Sequence, residues 1–221
     1  MNLAEGDLVD DRYRVVHVIA IARTSTIVEV RHIAKGSERL VLKILHPEVA
    51  ADPARAKLFH QEARALSVMQ NEHTCRILDF GQTAKKMVYA VLEYCDGMDL
   101  ARYVEQRGRL ALVDAIDYVV QASEAIAEAH ALGVAHGKLT ASKLIITAAA
   151  DGRPFIKVLG IGGSVDPEPR AADFANLANI LDDAAANRRP IGFADVLAMC
   201  RAGDFATVGQ FADALAPFAA S

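Results

Sequence analysis

Hydrophobic and polar residues in the first part of the chain follow the pattern of antiparallel β-strands. Residues 13–31 and 40–45 are rich in Val, Ile and Thr, and the turn-forming Lys35–Ser37 lies between them. Cys75–Phe80 and Met87–Leu92 have the same character. β-Branched residues favour strands, and Gly with polar neighbours favours the turns that join them. The pattern predicts a sheet of five strands.

The hydrophobic period changes to that of α-helices in the second part of the chain. Apolar residues between Leu112 and Ile126 share one helical face, and Gly133 ends this long helix. A short hairpin is predicted over Leu144–Leu159, with its turn at an Asp-Gly pair. Two further helical segments are expected, over Asp173–Ala186 and Gly192–Phe218.

One helix is also predicted inside the β-rich part. Asp52 can accept the first N–H groups of this helix, and Pro53 fits its first turn. A β-rich half with one helix, followed by a helical half, predicts an α+β fold of two lobes. We expect an N-terminal lobe over residues 1–95, a shortened helical C-terminal lobe over residues 96–221, and a cleft between them.

Composition excludes several classes of protein. Lys and Arg number 24 against 28 for Asp and Glu, so the formal net charge is −4, which argues against a nucleic-acid partner. A hydrophobic fraction of 52% with 24% charged residues excludes a disordered chain.

The sequence also bears on the cellular location. The acidic first residues lack an apolar run, and the longest apolar stretches are too short for a bilayer. Cys75, Cys95 and Cys200 are scattered, without metal-ligand spacing, which is typical of a reducing compartment. We therefore expect a cytoplasmic protein without a membrane partner.

Lys43 and Glu62 are predicted to form an inward-facing ion pair. Lys43 shares a strand face with Val41 and Leu45, and the spacing of the later helix places Glu62 on the same apolar stripe as Leu66. A buried ammonium and a buried carboxylate each need a partner. The alternative, in which either side chain extends along its apolar stem to solvent, stays open.

The order of these features resembles the protein-kinase fold, and most closely the bacterial Ser/Thr kinases of the eukaryotic-like type. The resemblance runs from about residue 6 to residue 173 and continues loosely to residue 218. It rests on matches that occur in the family's order: the opening Gly6–Val15, the strand lysine Lys43, the helix glutamate Glu62, the hinge Leu92–Gly97 and the loop His136–Leu139.

The resemblance implies structural roles for several residues. Asp173 would brace the catalytic loop from the start of a helix. Leu66, Leu78, His136 and Ile161 would stack as the apolar spine that joins the two lobes in this family.

The residues that would surround a nucleotide depart from the family's pattern. The three positions of the glycine-rich loop hold Ala20, Ala22 and Ser25, and each added Cβ stands where a phosphate would lie. Val41 replaces a small alanine above the adenine and would crowd it. The resemblance implies a set of candidate nucleotide contacts: Ala20, Ala22, Ser25, Val41, Lys43, Glu93 and Cys95.

The catalytic positions depart further. Lys138 stands at the catalytic aspartate, and a lysine with a reference pKa of about 10.4 cannot accept a proton near neutrality. Lys143 stands at the magnesium-binding asparagine, and Gly160 at the aspartate of D-F-G, so the usual oxygen ligands are missing. The literal D-F-G of Asp79–Gly81 precedes the catalytic loop, and we interpret it as a strand end and turn. The sequence predicts no catalytic residue and no metal site.

These departures predict a pseudokinase, which is not an enzyme but a protein-binding or regulatory scaffold in signalling. Its partner would be another protein, such as an active kinase or a phosphopeptide-reading domain, and a homo-oligomer is left open. We expect no cofactor and no ATP binding. The alternative is a metal-independent nucleotide-binding protein or transferase, in which Lys43, Lys138 and Lys143 hold a triphosphate. If no triphosphate binds, Lys138 and Lys143 are expected to point into solvent.

Overall fold

The computed structural model describes residues 3–36, 38–161, 167–186 and 189–219, without the side chains at positions 62, 65 and 167–169. The chain forms two compact units. Within the described ranges, the first unit consists of Met1–Val68 and Arg76–Tyr94, and the second consists of Met69–Cys75 and Cys95–Ser221.

The first unit contains a six-stranded antiparallel sheet in the order β1-β2-β3-β4-β6-β5. Five strands match the predicted ones, and the structure adds a strand of two residues, too short to show alternation in the sequence, that pairs with the start of β2. The strands are β1 (Leu8–Val9), β2 (Tyr13–Ile21), β3 (Ser25–His32), β4 (Arg39–Leu45), β5 (Ile77–Gln82) and β6 (Val88–Glu93).

Two helices follow β4. The short α1 (Pro47–Ala50) was not predicted, whereas the predicted helix is present as α2 (Pro53–Ser67). The Asp52 carboxylate accepts the backbone N–H of Ala54 at 2.9 Å, so this residue caps α2 as expected.

The sheet of the first unit is apolar on both faces. One face carries a cluster that includes Val28, Leu42, Ile44 and Val91. The other face packs against α1 and α2 in a second cluster, which includes Leu45, Val49 of α1, Phe59 of α2, Val88 and Ala90. Because both faces of the sheet are buried, the sequences of β4 and β6 are nearly continuous apolar runs.

The second unit contains a three-stranded antiparallel sheet, five α-helices and a 3-10 helix over Ala141–Lys143 within its described residues. The hairpin and the long helix were predicted, but α3 and β7 were missed because their few apolar residues lie between charged ones. The expected helix over Gly192–Phe218 is divided in two at Gly203, whose φ of 77° ends α6. The elements are β7 (Met98–Asp99), α3 (Leu100–Arg107), α4 (Leu112–Ala131), β8 (Leu144–Ala148), β9 (Pro154–Val158), α5 (Pro167–Ala184), α6 (Phe193–Ala202) and α7 (Val208–Ala219).

Long buried helices form the core of the second unit. Ile116, Val119 and Ile126 of α4 are fully buried, as are Leu177 and Leu181 of α5. None of the helices in the described part of the chain is both long and apolar enough to cross a membrane.

Candidate functional site

Asp173 holds the loop that follows α4. Its side chain is completely buried, and its two oxygens accept the backbone N–H groups of His136 at 2.8 Å and Gly137 at 2.9 Å. The Nε2 atom of His130, in the last turn of α4, lies 3.0 Å from the same carboxylate. A buried carboxylate needs such partners, and here they fix the position of the loop.

The His136 side chain is part of the interior of the second unit. Its Nε2 atom lies 2.9 Å from the carbonyl oxygen of Leu159, which accepts its hydrogen. Burial lowers the pKa of His136, and the nearby Lys143 ammonium adds to this effect, whereas the Leu159 carbonyl and the Asp173 carboxylate oppose it. His136 is therefore a neutral structural histidine, in agreement with its predicted role in the core.

Backbone hydrogen bonds bring two of the predicted catalytic positions together. The N–H of Leu159 donates to the carbonyl of Lys143 at 2.8 Å, and Gly160 follows Leu159 directly. Gly160 has a φ of 75°, which favours glycine. Lys138 is exposed and Lys143 is half-buried. The structure thus places Lys143 beside Gly160 in the second unit.

This pair of residues does not fit a magnesium ion. Magnesium prefers oxygen ligands such as carboxylates, but position 143 offers an ammonium group and position 160 has no side chain. An ammonium group is instead suited to an anion such as phosphate.

The predicted apolar spine needs one correction. Leu66, His136 and Ile161 are buried, but the Leu78 side chain is 45% exposed, so its assignment to the spine is wrong. A register shift in β5 between Ile77 and Asp79 leaves Leu78 without a paired residue and breaks the expected alternation. That the three buried residues stack stays a prediction.

The residues at the glycine-loop positions form the β2–β3 hairpin. Ala20 is part of β2, and the N–H of Ala22 donates to the carbonyl of Ser25 at 2.9 Å. Ser25 begins β3 and is buried. The tight turn here forms without glycine at these three positions. A nucleotide contact by any of the three residues stays a prediction.

Val41 and Lys43 lie on one face of β4, opposite Leu42 and Ile44. The Lys43 ammonium lies 5.5 Å from the centre of the Phe59 ring, within the range of a cation–π interaction. The Glu62 side chain lies outside the described residues, so the ion pair between Lys43 and Glu62 stays a prediction.

The hinge residues Glu93 and Cys95 differ in their surroundings. The Glu93 carboxylate accepts the backbone N–H of Arg76 at 3.1 Å and pairs with its guanidinium at 3.2 Å. Cys95 belongs to the second unit and is half-buried. Their predicted nucleotide contacts are not tested by these observations.

A buried carboxylate that was not predicted from the sequence lies beside Val41. Glu29 of β3 is paired with Val41 across the sheet and is only 3% exposed. Arg39 donates to both of its oxygens at 3.0 Å, and this lowers the pKa of Glu29 despite the opposing effect of burial. The Arg39 guanidinium also stacks on Tyr94 at 3.5 Å. Glu29 alternates with the apolar Val28 and Val30, a pattern that predicts a solvent-facing position, and its partner Arg39 depends on the sheet register.

Asp79 of the literal D-F-G has two hydrogen-bond partners in the first unit, and the absence of a metal role for Asp79–Gly81 stays a prediction. Its carboxylate accepts a hydrogen bond from Arg12 at 2.9 Å and one from the Tyr13 hydroxyl at 3.1 Å. Burial and this carboxylate raise the pKa of Tyr13 to about 12. Asp79 lies inside β5, so the predicted strand end at this residue is wrong. The glycine at position 81 leaves room for Tyr89, because a Cβ there would lie 3.2 Å from the Tyr89 hydroxyl.

The sheet of the first unit and the braced loop of the second define a protein-kinase-like α+β fold. The protein kinase domain family matches residues 13–172. This chain therefore belongs to the protein kinase domain family, as its resemblance to the bacterial Ser/Thr kinases predicted.

Solved structures support the same fold. The chain is 21% identical to a crystal structure of the Mycobacterium tuberculosis PknI kinase domain, with a TM-score of 0.78 and full coverage of both chains. A second crystal structure of that domain gives a TM-score of 0.77 at 21% identity and covers 98% of this chain and 99% of its own. The small, truncated helical lobe is consistent with the predicted architecture.

Sequence relatives are bacterial kinases. The chain is 28% identical to the serine/threonine-protein kinase PknA of Mycobacterium tuberculosis over 173 residues, which are 76% of this chain and 39% of PknA. It is 30% identical to the serine/threonine-protein kinase Pkn1 of Myxococcus xanthus over 131 residues, which are 59% of this chain and 18% of Pkn1. The chain thus spans less than half the length of these relatives.

These relatives overturn one prediction. Lys138, Lys143 and Gly160 predicted that the chain is not an enzyme. The similar proteins are named as serine/threonine-protein kinases and point to a kinase enzyme, so that prediction is wrong. The replacements at positions 138, 143 and 160 would exclude an enzyme only if the usual proton acceptor and metal ligands were indispensable.

Proposed function

We propose that this chain is a nucleotide-dependent phosphotransferase of the protein kinase family that holds the triphosphate with lysine rather than with magnesium. The observation that supports this most is the backbone bond between Leu159 and Lys143, which places a lysine beside Gly160. These are the two positions at which the family normally provides metal ligands.

The chemistry of Lys143 suits a phosphate. A lysine ammonium is a compact point charge that binds phosphate oxygens through up to three donors. Because Gly160 has no side chain, no carboxylate at that position competes with a phosphate for the ammonium.

Lys138 does not prevent phosphoryl transfer. The transition state of this reaction is largely dissociative, so catalysis depends mainly on positioning and on charge stabilisation. A general base typically contributes about 10²- to 10⁴-fold to a rate. We therefore expect a transfer rate lower than that of a kinase with an aspartate at position 138 by about this factor.

The acceptor class follows from the relatives. The similar proteins are named serine/threonine-protein kinases, which favours a Ser or Thr hydroxyl of a protein as the acceptor. The loop that would face such an acceptor is rigidly held, because Asp173 binds two consecutive backbone N–H groups of it.

The test is phosphotransfer from radiolabelled ATP to the chain itself and to a generic basic protein, with EDTA and with magnesium. We expect slow transfer in EDTA that Lys143→Ala abolishes and that Lys138→Asp accelerates. Arg102→Ala, on the exposed side of α3, is the matched control and should leave the rate unchanged. Absence of transfer under both conditions would contradict the proposal.

A protein-binding role in signalling is the second candidate. The replacements at positions 138, 143 and 160 favour it, since they leave the Asp173 bracing of the loop intact while changing the chemistry presented there. The partner would be an active kinase or a phosphopeptide-reading domain. Binding of a purified kinase domain that is unaffected by Lys143→Ala would support this role.

A further inference from the structure

Two cysteines of the second unit lie close together. The Sγ atoms of Cys75 and Cys95 are within 4.8 Å of each other, and no disulfide joins them. Both residues belong to the second unit, at the points where the chain leaves it and returns to it. Cys75 is buried and Cys95 is half-buried.

The antiparallel pairing of β5 with β6 explains this proximity. Ile77 is paired with Leu92, and the N–H of Glu93 donates to the carbonyl of Arg76 at 3.0 Å, one step further along both strands. The next step along the two chain segments reaches Cys75 and the residue before Cys95. Scattered positions in the sequence therefore become neighbours through the register of this hairpin.

The backbone also holds Cys75 in place. Its N–H donates to the carbonyl of Val158 at 3.1 Å, and Thr74 forms a bridge with the same residue of β9. One cysteine of the pair is thus anchored to the small sheet, while Cys95 follows β6 and is more accessible.

Cys200 provides an internal contrast. It is completely buried, and its Sγ atom donates to the carbonyl of Phe174 at 3.2 Å. Burial raises the pKa of Cys200 to about 12, so its thiolate is scarce near neutrality. A reagent that needs a thiolate should leave this residue unmodified.

We propose that Cys75 and Cys95 form an oxidisable dithiol that a peroxide closes to an intramolecular disulfide. The more accessible Cys95 thiolate attacks a peroxide oxygen, which breaks the O–O bond and gives a sulfenic acid and hydroxide. The Cys75 thiolate then attacks the sulfenic sulfur, forms the S–S bond and releases the second hydroxide. Together with the two thiol protons, the two hydroxides become two waters, so the thiols supply the two electrons that reduce the peroxide.

The geometry is compatible with this closure. Bond formation requires the sulfur atoms to approach to about 2.05 Å, and movement of two side chains between staggered rotamers can shorten the observed gap. The disulfide would enclose β5 and β6 and tie together two of the segments that connect the units. The oxidation state would therefore restrain the connection that carries the hinge residues.

The experiment is oxidation of the full chain with hydrogen peroxide at neutral pH, followed by intact-mass measurement and non-reducing peptide mapping. We expect loss of two hydrogens, a Cys75–Cys95 linked peptide, and a rise in the thermal unfolding midpoint that dithiothreitol reverses. Cys95→Ser should abolish both the linked peptide and the thermal shift, whereas the control Cys200→Ser should retain them.

Other products would overturn the proposal. Separate sulfinic acids on the two cysteines, a link between two chains, a link to Cys200, or unchanged thiols would each show that the pair does not close. If Cys75→Ser fails to fold, the peptide map of the unmutated protein and the half-buried Cys95→Ser variant still decide the question. The readout is a mass, so it is independent of the proposed phosphotransfer.

Discussion

Asp173 Oδ2 accepts the backbone N–H of His136 at 2.8 Å, and this bond fixes the loop after α4 to the buried side chain of α5. The neighbouring N–H of Gly137 binds the other carboxylate oxygen. The family resemblance predicted this bracing role for Asp173 from its position alone. The structure gives it a physical basis, because a carboxylate with no exposed surface is stabilised only by such donors.

Replacing Asp173 by Asn should destabilise the second unit. The amide presents one acceptor where the carboxylate presents two, and one of the two loop N–H groups would lose its partner. A buried donor without a partner costs about 1–3 kcal/mol, and we expect a loss of this size in the free energy of unfolding, measured by urea denaturation. Asp204→Asn, at an exposed position of the same unit, is the control and should have no measurable effect.

His136 should make stability depend on pH. Burial lowers its pKa in the folded protein, whereas the unfolded value is about 6.5. Below pH 6.5 the unfolded state binds more protons at this histidine than the folded state does. The stability contributed by the neutral histidine is therefore fully present above pH 6.5 and is lost as the pH falls. Urea denaturation between pH 7.5 and 5.5, values set about one unit either side of this pKa, should show this loss.

A histidine replacement checks that assignment. His136→Gln should give a flatter dependence of the unfolding free energy on pH, since the amide does not titrate. His60→Gln, which removes a half-buried histidine of the first unit, should retain the original slope. Equal slopes in all three proteins would show that His136 is not responsible.

The predicted pair of Lys43 and Glu62 can be tested by a double-mutant cycle. Losing one partner of a buried pair typically costs about 3–5 kcal/mol, and apolar replacement of both recovers much of it. Because Lys43 is half-buried, we expect the lower part of this range for Lys43→Met. The unfolding free energies of Lys43→Met, Glu62→Leu and the double variant give the coupling.

A matched cycle supplies the control. Lys57 of α2 is exposed, so Lys57→Met combined with Glu62→Leu should show additive effects. Additivity in the Lys43 cycle as well would mean that the two residues do not meet.

Asp79 should contribute to stability rather than to metal binding. Asp79→Asn weakens the interactions with Arg12 and Tyr13. The Arg12 and Asp79 side chains are 43% and 40% exposed, so we expect a loss of about 1 kcal/mol or less. Manganese binding, followed by electron paramagnetic resonance, should be the same in the variant and the unmutated protein. A weaker manganese affinity in the variant would assign Asp79 a ligand role.

Local signals in the sequence were sufficient for much of the fold. The cap at Asp52, the long apolar face of α4 and the hairpin after Lys143 depend on neighbouring residues, and each occurs as expected. The position of Asp173 could be assigned only through the order of the family's motifs.

The missed features depend on contacts between distant segments. The pairing of Glu29 with Arg39 requires the register of β3 and β4, and the exposure of Leu78 results from a shift in β5. The proximity of Cys75 and Cys95 likewise follows from the pairing of β5 with β6. A spacing rule along a single segment cannot reveal these relationships.

Calorimetric titration with ATP in EDTA tests the central claim most directly. We predict that the unmutated chain binds ATP without a divalent cation, and that Lys143→Ala weakens this binding by about 10- to 100-fold, the equivalent of losing one charge-assisted hydrogen bond. Arg102→Ala should bind as the unmutated chain does. ATP binding that requires magnesium and is unaffected by Lys143→Ala would contradict the account.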